Sequence, residues 1–102
     1  MNRKYQREAN EISAKLAMAG KSFLRSLEWK AMRRAVIETY GRQCMKCRTT
    51  PKRPHHTHID HIKPRKTHPE LSLDFWNLQV LCCRCNKHKG NKIADYRALC
   101  KT

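Results

Sequence analysis

The apolar positions of the chain change their spacing from one segment to the next. The first segment repeats apolar side chains every three or four residues, as one face of a helix requires, and its members are Trp29, Met32, Val36 and Tyr40. Ser26 precedes them as a candidate N-cap, and Gly41 follows them at a position where helices favour glycine. The pattern therefore predicts a helix between Ser26 and Gly41 whose apolar face enters the core.

Residues 57–62 alternate with a period of two, which is typical of a strand. The alternation places His58 and Asp60 on one face, and Ile59 and His61 on the other. The residues that precede this strand are rich in Pro, Lys and His, and they predict a loop with exposed histidines.

Residues 76–81 predict a second strand, and the residues from Cys85 onward predict a short helix that ends before Gly90. The order strand, loop, strand, helix indicates one small α+β domain. We assign residues 25–102 to this domain, and we assign residues 1–24 to a basic, helical N-terminal extension.

The charge of the chain indicates its partner more than its fold. Its 102 residues include 23 Lys and Arg against 8 Asp and Glu, which gives a formal charge of +15 and a pI of about 10.1. Such a surface attracts polyanions with a steep salt dependence, so nucleic acid is the first candidate partner. The sequence shows no long apolar run and no signal-peptide core, so we expect a soluble, cytoplasmic protein that does not enter a membrane.

The cysteines form two C-x-x-C pairs, which is the spacing of zinc knuckles. Cys44 and Cys47 form the first pair, and Cys82 and Cys85 form the second. Cys83 competes with Cys82, but the choice of Cys82 reproduces the spacing of the first pair. We therefore expect one structural Zn²⁺ that ties the two ends of the intervening segment together, in a domain too small to bury a large core.

Asp60 and His61 are the pair of residues that indicates chemistry. Asp60 is the only acidic residue between Glu38 and Glu70, in a stretch crowded with Lys, Arg and His. A lone carboxylate there indicates a bound cation, and its hard oxygen suits Mg²⁺ or Mn²⁺. The adjacent imidazole is the side chain best able to accept a proton near neutral pH. Side by side, the two predict metal-assisted hydrolysis.

The ordered set of motifs resembles the HNH endonuclease family, in the form of its small stand-alone, phage-like members. The matching segments are Cys44-x-x-Cys47, Asp60-His61-Ile62-x-Pro64 and Asn77-Leu78-Gln79-x-Leu81-Cys82-x-x-Cys85-Asn86-x-x-Lys89-Gly90. The resemblance covers residues 23–92, and its segments occur in the order of the family. It implies a ββα-metal (His-Me finger) fold with N-terminal helices, stapled by a structural zinc on four cysteines.

The resemblance also implies a role for each matching polar residue. Asp60 would bind the catalytic Mg²⁺ or Mn²⁺, and His61 would act as the general base on water. Asn77 would hold the loop and the histidine in position. Asn86 would supply the second protein ligand to the catalytic ion, at the place where the motif more often has histidine. His88 is the alternative for that ligand, but it lies two residues further along the helix.

Other polar residues around the motif are expected to support these roles. His58 shares the predicted face of Asp60 and is expected to make a supporting polar contact. The basic residues expected to hold the phosphate backbone without reading sequence are Lys63, Arg65, Lys87 and Lys89.

The resemblance implies a metal-dependent DNA endonuclease that nicks or cuts duplex DNA and leaves 5′-phosphate ends. The alternative from another class is a zinc module that binds DNA or RNA without cutting it. A third interpretation is an accessory subunit with a protein partner, in phage genome packaging or other mobile-element DNA processing. One active site cuts one strand, so we expect a monomer or a weak dimer.

Overall fold

The computed structural model describes residues 22–97 of the chain. Residues 1–21 and 98–102 lie outside the described residues, and most of the predicted extension at 1–24 lies there with them. Phe23, which the sequence analysis placed in that extension, is fully buried and packs on Trp29 with ring centroids 5.3 Å apart.

Two helices open the described part of the chain. Helix α1 comprises Ser22–Arg25, and helix α2 comprises Leu27–Tyr40. The Ser26 hydroxyl accepts a hydrogen bond from the Trp29 N–H at 3.2 Å, which satisfies one of the unpaired donors of the first turn. Helix α2 ends at Gly41, whose φ of 78° is readily adopted by glycine. The predicted helix between Ser26 and Gly41 is therefore confirmed at both ends.

A two-stranded antiparallel hairpin follows. Strand β1 comprises Thr57–His61 and strand β2 comprises Leu78–Cys82. Their register places Asp60 opposite Gln79. The second strand starts at Leu78 rather than at residue 76, because residues Phe75–Asn77 form a 3₁₀ turn.

Short 3₁₀ turns shape the loops around the hairpin. The turn Pro54–His56 leads into β1, and its two histidines are exposed, as the sequence predicts. The turn Pro69–Leu71 lies in the long connection between the strands. That connection passes alongside β1 and provides the backbone that holds the end of the strand, as the site geometry below shows.

Helix α3 comprises Cys83–Lys89 and packs against both strands. It starts two residues earlier than expected, because the Cys82 sulfur accepts a hydrogen bond from the Cys85 N–H and caps the first turn. The described residues thus form a small α+β unit in which two antiparallel strands precede a helix, which confirms the predicted fold class.

The core joins the N-terminal helices to the hairpin. Met32 and Tyr40 are partly buried against this core, so the predicted apolar face of α2 is confirmed. Strand β2 is buried along its whole length. None of the helices within residues 22–97 has the length and apolar character needed to cross a membrane. The core members are Phe23, Trp29, Val36, Met45, Ile59, Leu73, Leu78 and Val80.

Candidate active site and metal centre

Four cysteine sulfurs meet at one point below the hairpin. The Sγ atoms of Cys44, Cys47, Cys82 and Cys85 all lie within 4.8 Å of one another. A tetrahedral zinc with Zn–S bonds of about 2.3 Å needs sulfurs about 3.8 Å apart, and the Sγ atoms of Cys47 and Cys82 are 3.8 Å apart. The cluster contains Cys82 and not Cys83, so the geometry agrees with the C-x-x-C spacing.

Backbone N–H groups in both C-x-x-C pairs point at cysteine sulfurs, as suits negatively charged thiolates. The N–H of Cys47 points at the sulfur of Cys44, and the N–H of Cys85 points at the sulfur of Cys82, both at 3.5 Å. Burial raises the pKa of the Cys85 thiol to about 12. A thiolate at that position therefore requires a cation beside it, and the four residues fit a Zn²⁺ ion.

The second feature is a cleft of about 390 Å³ between α2, β1 and α3, which we call the central cleft. The predicted residues Asp60, His61, Arg65 and Asn86 line it, and Trp29 lines it from α2. Asn77, Lys63, Lys87 and His88 are not among its lining residues. The structure therefore brings together the three polar residues to which the sequence assigned the reacting water and its metal.

The imidazole of His61 is fixed from two directions. Its Nε2 lies 2.9 Å from the carbonyl oxygen of Ser72, and its ring stacks on Trp29 with centroids 4.9 Å apart and planes 20° apart. A carbonyl only accepts, so Nε2 carries the proton and the lone pair of the neutral ring is on Nδ1. Burial lowers the pKa of His61 to about 4, so the ring is neutral at pH 7.

Asp60 is a buried carboxylate with two protein partners. Its Oδ2 accepts from Gln79 Nε2 at 2.9 Å, and Lys89 Nζ lies 3.1 Å from Oδ2 and 3.4 Å from Oδ1. Burial raises the pKa of the Asp60 carboxyl, while the hydrogen bonds from Gln79 and Lys89 oppose that rise. Two carboxylate oxygens offer about four acceptor positions, so these contacts do not use all of them, and Asp60 lines the central cleft.

Asn86 reaches the cleft from α3 and contacts His58 of β1. Its Nδ2 lies 3.0 Å from His58 Nδ1. An amide nitrogen only donates, so Nδ1 accepts and the neutral His58 ring carries its proton on Nε2. Burial lowers the pKa of His58, and the charge of Arg33 lowers it further, which favours that neutral ring. The hydrogen bond to His58 uses the amide nitrogen of Asn86 and not its oxygen. The amide oxygen is the atom that suits a hard cation.

Asn77 clamps the connecting loop onto the hairpin. Its Oδ1 accepts from the Lys63 N–H at 2.9 Å, and its Nδ2 donates to the Lys63 carbonyl at 3.0 Å and to the Leu71 carbonyl at 3.3 Å. The side chain is buried, and it fixes the loop whose Ser72 carbonyl holds His61. Asn77 thus anchors this loop, and its role in holding the histidine in position stays a prediction.

The four predicted backbone-binding cations occupy different environments. Lys63 and Lys87 are exposed. Arg65 lines the central cleft with its guanidinium 4.5 Å from the centre of the Phe23 ring. Lys89 differs from the prediction: it is only 3% exposed, pairs with Asp60 and donates to the His61 carbonyl at 2.9 Å. Its ammonium therefore stabilises the site from inside, and it is not presented to a phosphate backbone.

Sequence reasoning missed Gln79 as a site residue. The side chain is fully buried, holds Asp60, donates to the Ala94 carbonyl at 2.8 Å and accepts from the Tyr96 N–H at 2.8 Å. It therefore ties the segment after α3 to the Asp60 carboxylate. The available signal was a single polar residue within an apolar strand, opposite Asp60 in the hairpin register.

Comparison with known proteins identifies a related family. Residues 44–92 match a family model described as HNH endonuclease. The match begins at the first knuckle and includes both cysteine pairs and every polar residue of the central cleft from β1 and α3. No curated protein and no solved structure matches the chain.

Proposed function

We propose a function from the premise that residues 44–92 of this chain form a domain of the HNH endonuclease family. The domain indicates nuclease-type chemistry in general, and we propose that this protein is a metal-dependent endonuclease that hydrolyses phosphodiester bonds of duplex DNA. The observation that carries the proposal is the convergence of a neutral His61, a buried Asp60 and Asn86 on one cleft.

His61 is the general base of the proposed reaction. Its Nε2–H is committed to the Ser72 carbonyl, so Nδ1 accepts the proton of the attacking water. The stack on Trp29 holds the ring plane, so no rotation is needed before the proton moves. General-base catalysis of this kind contributes about 10²–10⁴-fold.

Asp60 and Asn86 are the residues that would hold a single Mg²⁺ or Mn²⁺. Both offer hard oxygen donors on the same cleft, one from β1 and the other from α3. Such an ion supplies Lewis-acid stabilisation of the charge that develops on the phosphate and on the leaving oxygen. The ammonium of Lys89 favours the ionised form of Asp60 and so opposes the rise in its pKa that burial causes.

In the proposed reaction, the water oxygen forms a bond to phosphorus and its proton goes to His61 Nδ1. The bond from phosphorus to the 3′-oxygen breaks, and that oxygen takes a proton from solvent water, which leaves a 3′-hydroxyl end and a 5′-phosphate end. Arg65 lines the cleft and is suited to contact the phosphate, and the exposed Lys63 and Lys87 are suited to the flanking backbone.

The test is cleavage of supercoiled plasmid by zinc-loaded protein that is free of other metals, with added Mg²⁺ or Mn²⁺. We expect metal-dependent nicked or linear plasmid from the wild type. The cleavage rate of His61→Ala should fall about 10²–10⁴-fold. Asn86→Ala should need a much higher concentration of Mg²⁺ or Mn²⁺ to reach half of its maximal cleavage rate. His88→Ala is the matched control, because His88 is exposed on the same helix and should cut normally.

The outcomes separate the proposal from its alternative. A wild type that shifts plasmid mobility but never cuts with any divalent ion supports a zinc module that binds DNA or RNA without catalysis. Full activity in His61→Ala removes that residue as the base. A loss in His88→Ala together with an active Asn86→Ala transfers the ligand role to His88.

We further propose that the enzyme acts in the cytoplasm of a bacterial or phage-infected cell, as a monomer or weak dimer. Reduced thiols persist in that compartment, as a zinc site made of four cysteines requires. A partner protein in phage packaging or other mobile-element DNA processing would supply the sequence choice. Light scattering of the pure protein, and cleavage with and without candidate partners, test these points.

A further inference from the structure

A second cleft, of about 340 Å³, lies between α2 and the start of β1, and we call it the lateral cleft. Lys30 and Arg33 of α2 line one side, and His55, Thr57 and His58 line the other. Trp29 and Ile59 line both the lateral and the central cleft, so the two clefts are neighbours along β1. None of the roles proposed above uses Lys30, Arg33 or Thr57.

Thr57 carries the observation that points to a ligand. The residue is 3% exposed, and its hydroxyl oxygen is buried with no hydrogen-bond partner among the described residues. Leaving a buried hydroxyl unpaired is costly, so such groups are normally satisfied by protein, water or ligand. Thr57 therefore lines the lateral cleft and carries a buried hydroxyl without an acceptor among the described residues.

The charges around Thr57 select the kind of ligand. No carboxylate lines the lateral cleft in the described part of the chain. The salt bridges among residues 22–97 use Lys89 and Arg97, so the cations Lys30 and Arg33 are not neutralised by a described ion pair. Two unpaired cations beside a free hydroxyl donor form a site for an anion with several oxygens.

Spacing along β1 relates this site to the central cleft. Thr57 precedes His61 by four residues in one strand, which is about 13 Å at a rise of about 3.3 Å per residue. Duplex DNA advances about 3.4 Å along its axis per nucleotide of one strand, and successive phosphates lie further apart than this because the backbone winds around the axis. A distance of about 13 Å along β1 therefore matches phosphates only a few nucleotides apart, so one DNA strand can place one phosphate at His61 and a nearby one at Thr57.

We infer that the lateral cleft is a phosphate subsite, in which Arg33, Lys30 and the Thr57 hydroxyl bind a backbone phosphate of the DNA strand whose scissile phosphate lies in the central cleft. The inference rests on the proposed function for the identity of the anion. It adds α2, a helix outside the matched residues 44–92, to the surface that binds substrate.

The experiment measures binding of a short DNA duplex to the full zinc-loaded chain without added Mg²⁺, over a range of salt concentrations. We expect Arg33→Gln to weaken binding about tenfold and to reduce the salt slope by about one. Arg34→Gln is the matched control, because Arg34 is the next residue of α2, is exposed and does not line the cleft. In this control, the slope of the logarithm of the binding constant against the logarithm of the salt concentration should stay within a few tenths of the wild-type value.

Thr57→Val removes the hydroxyl and keeps the shape and the strand preference of the side chain. We expect weaker DNA binding with an unchanged or higher melting temperature, since an unpaired buried hydroxyl is lost. Thr57→Ser keeps the hydroxyl and should retain binding. A purely structural role for Thr57 predicts the reverse, a loss of stability with unchanged binding.

The DNA-binding measurements test the phosphate subsite independently of the cleavage assay that tests the proposed hydrolysis. Equal binding by Arg33→Gln and Arg34→Gln, or unchanged binding by Thr57→Val, overturns the subsite. A wild type without affinity for the duplex overturns it as well. A wild type that binds through the lateral cleft but never cuts with added metal keeps the subsite and overturns only the proposed hydrolysis.

Discussion

At the scale of the residue, single hydrogen bonds decide which atom of each site residue remains for chemistry. The Ser72 carbonyl assigns the proton of His61 to Nε2 and leaves the lone pair of Nδ1 available for the proposed role as the base. In the same way, His58 takes the amide hydrogen of Asn86 and leaves the amide oxygen for a cation. The groups that we propose to react are therefore oriented by neighbours that have no proposed contact with the water or the metal.

His58→Ala tests this orientation. Without His58 Nδ1 the amide of Asn86 is free to turn its nitrogen toward the cation, which that nitrogen cannot coordinate. We expect the Mg²⁺ or Mn²⁺ affinity to fall about 10–100-fold, as for other residues that orient a ligand. The rate at saturating metal should change little. Metal titrations of cleavage, and Mn²⁺ binding followed by electron paramagnetic resonance without DNA, measure the effect.

His88→Ala serves as the control for this variant too, since His88 is exposed on the same helix. Its metal requirement should equal that of the wild type. An unchanged Mn²⁺ affinity in His58→Ala would show that the hydrogen bond between His58 and Asn86 does not orient the ligand.

At the scale of the element, the sequence predicted most of what places the site. The helical spacing from Trp29, the alternation around Asp60 and the paired cysteines each predict a local structure that depends on few long-range contacts. The start of β2 was wrong by two residues, because Asp74 caps a 3₁₀ turn by accepting from the Trp76 N–H at 2.9 Å. Local turn chemistry overrode the apolar pattern there.

The contacts between elements were harder to predict. The burial of Lys89 depends on which side of α3 faces β1, and a helix of seven residues has too short a pattern to fix that side. Gln79 acquires its role from the pairing register of two strands that are far apart in sequence. Trp29 was assigned to the core from its spacing, and its stack on His61 follows only from the tertiary packing.

Lys89→Met tests the contact between α3 and β1. It removes the ammonium and leaves Asp60 as a buried charge without its counter-ion. Breaking a buried pair in this way costs about 3–5 kcal/mol, so urea unfolding of the zinc-loaded protein should show a lower free energy of unfolding. Added Mg²⁺ should stabilise this variant more than the wild type, because the cation offsets the charge of Asp60.

Asp95→Asn is the matched control for that loss. The ion pair between Asp95 and Arg97 is partly exposed, with side chains 44% and 31% accessible, so its removal should cost less than about 1 kcal/mol. If Lys89→Met costs no more than Asp95→Asn, the buried pair does not hold α3 against β1.

At the scale of the whole molecule, the cysteine cluster and the small apolar core stabilise different parts of the fold. One cluster of apolar residues joins α1 and α2 to the hairpin, and the cysteine cluster joins the first knuckle to the end of β2. A metal bound by these cysteines would close the segment that carries Asp60, His61 and Asn77. Catalytic geometry should therefore depend on a metal that takes no part in the reaction.

Removal of that metal should unfold the domain. Structural Zn²⁺ in finger-like peptides contributes about 10–16 kcal/mol of apparent binding free energy, whereas a whole small domain is stable by about 5–15 kcal/mol. Cys82→Ser should lose its zinc and its native circular dichroism. Cys83→Ser, the adjacent thiol outside the cluster, should retain one zinc per chain and the wild-type spectrum. A folded Cys82→Ser protein without zinc would mean that the apolar core alone maintains the hairpin, and the site would then keep its geometry without the metal.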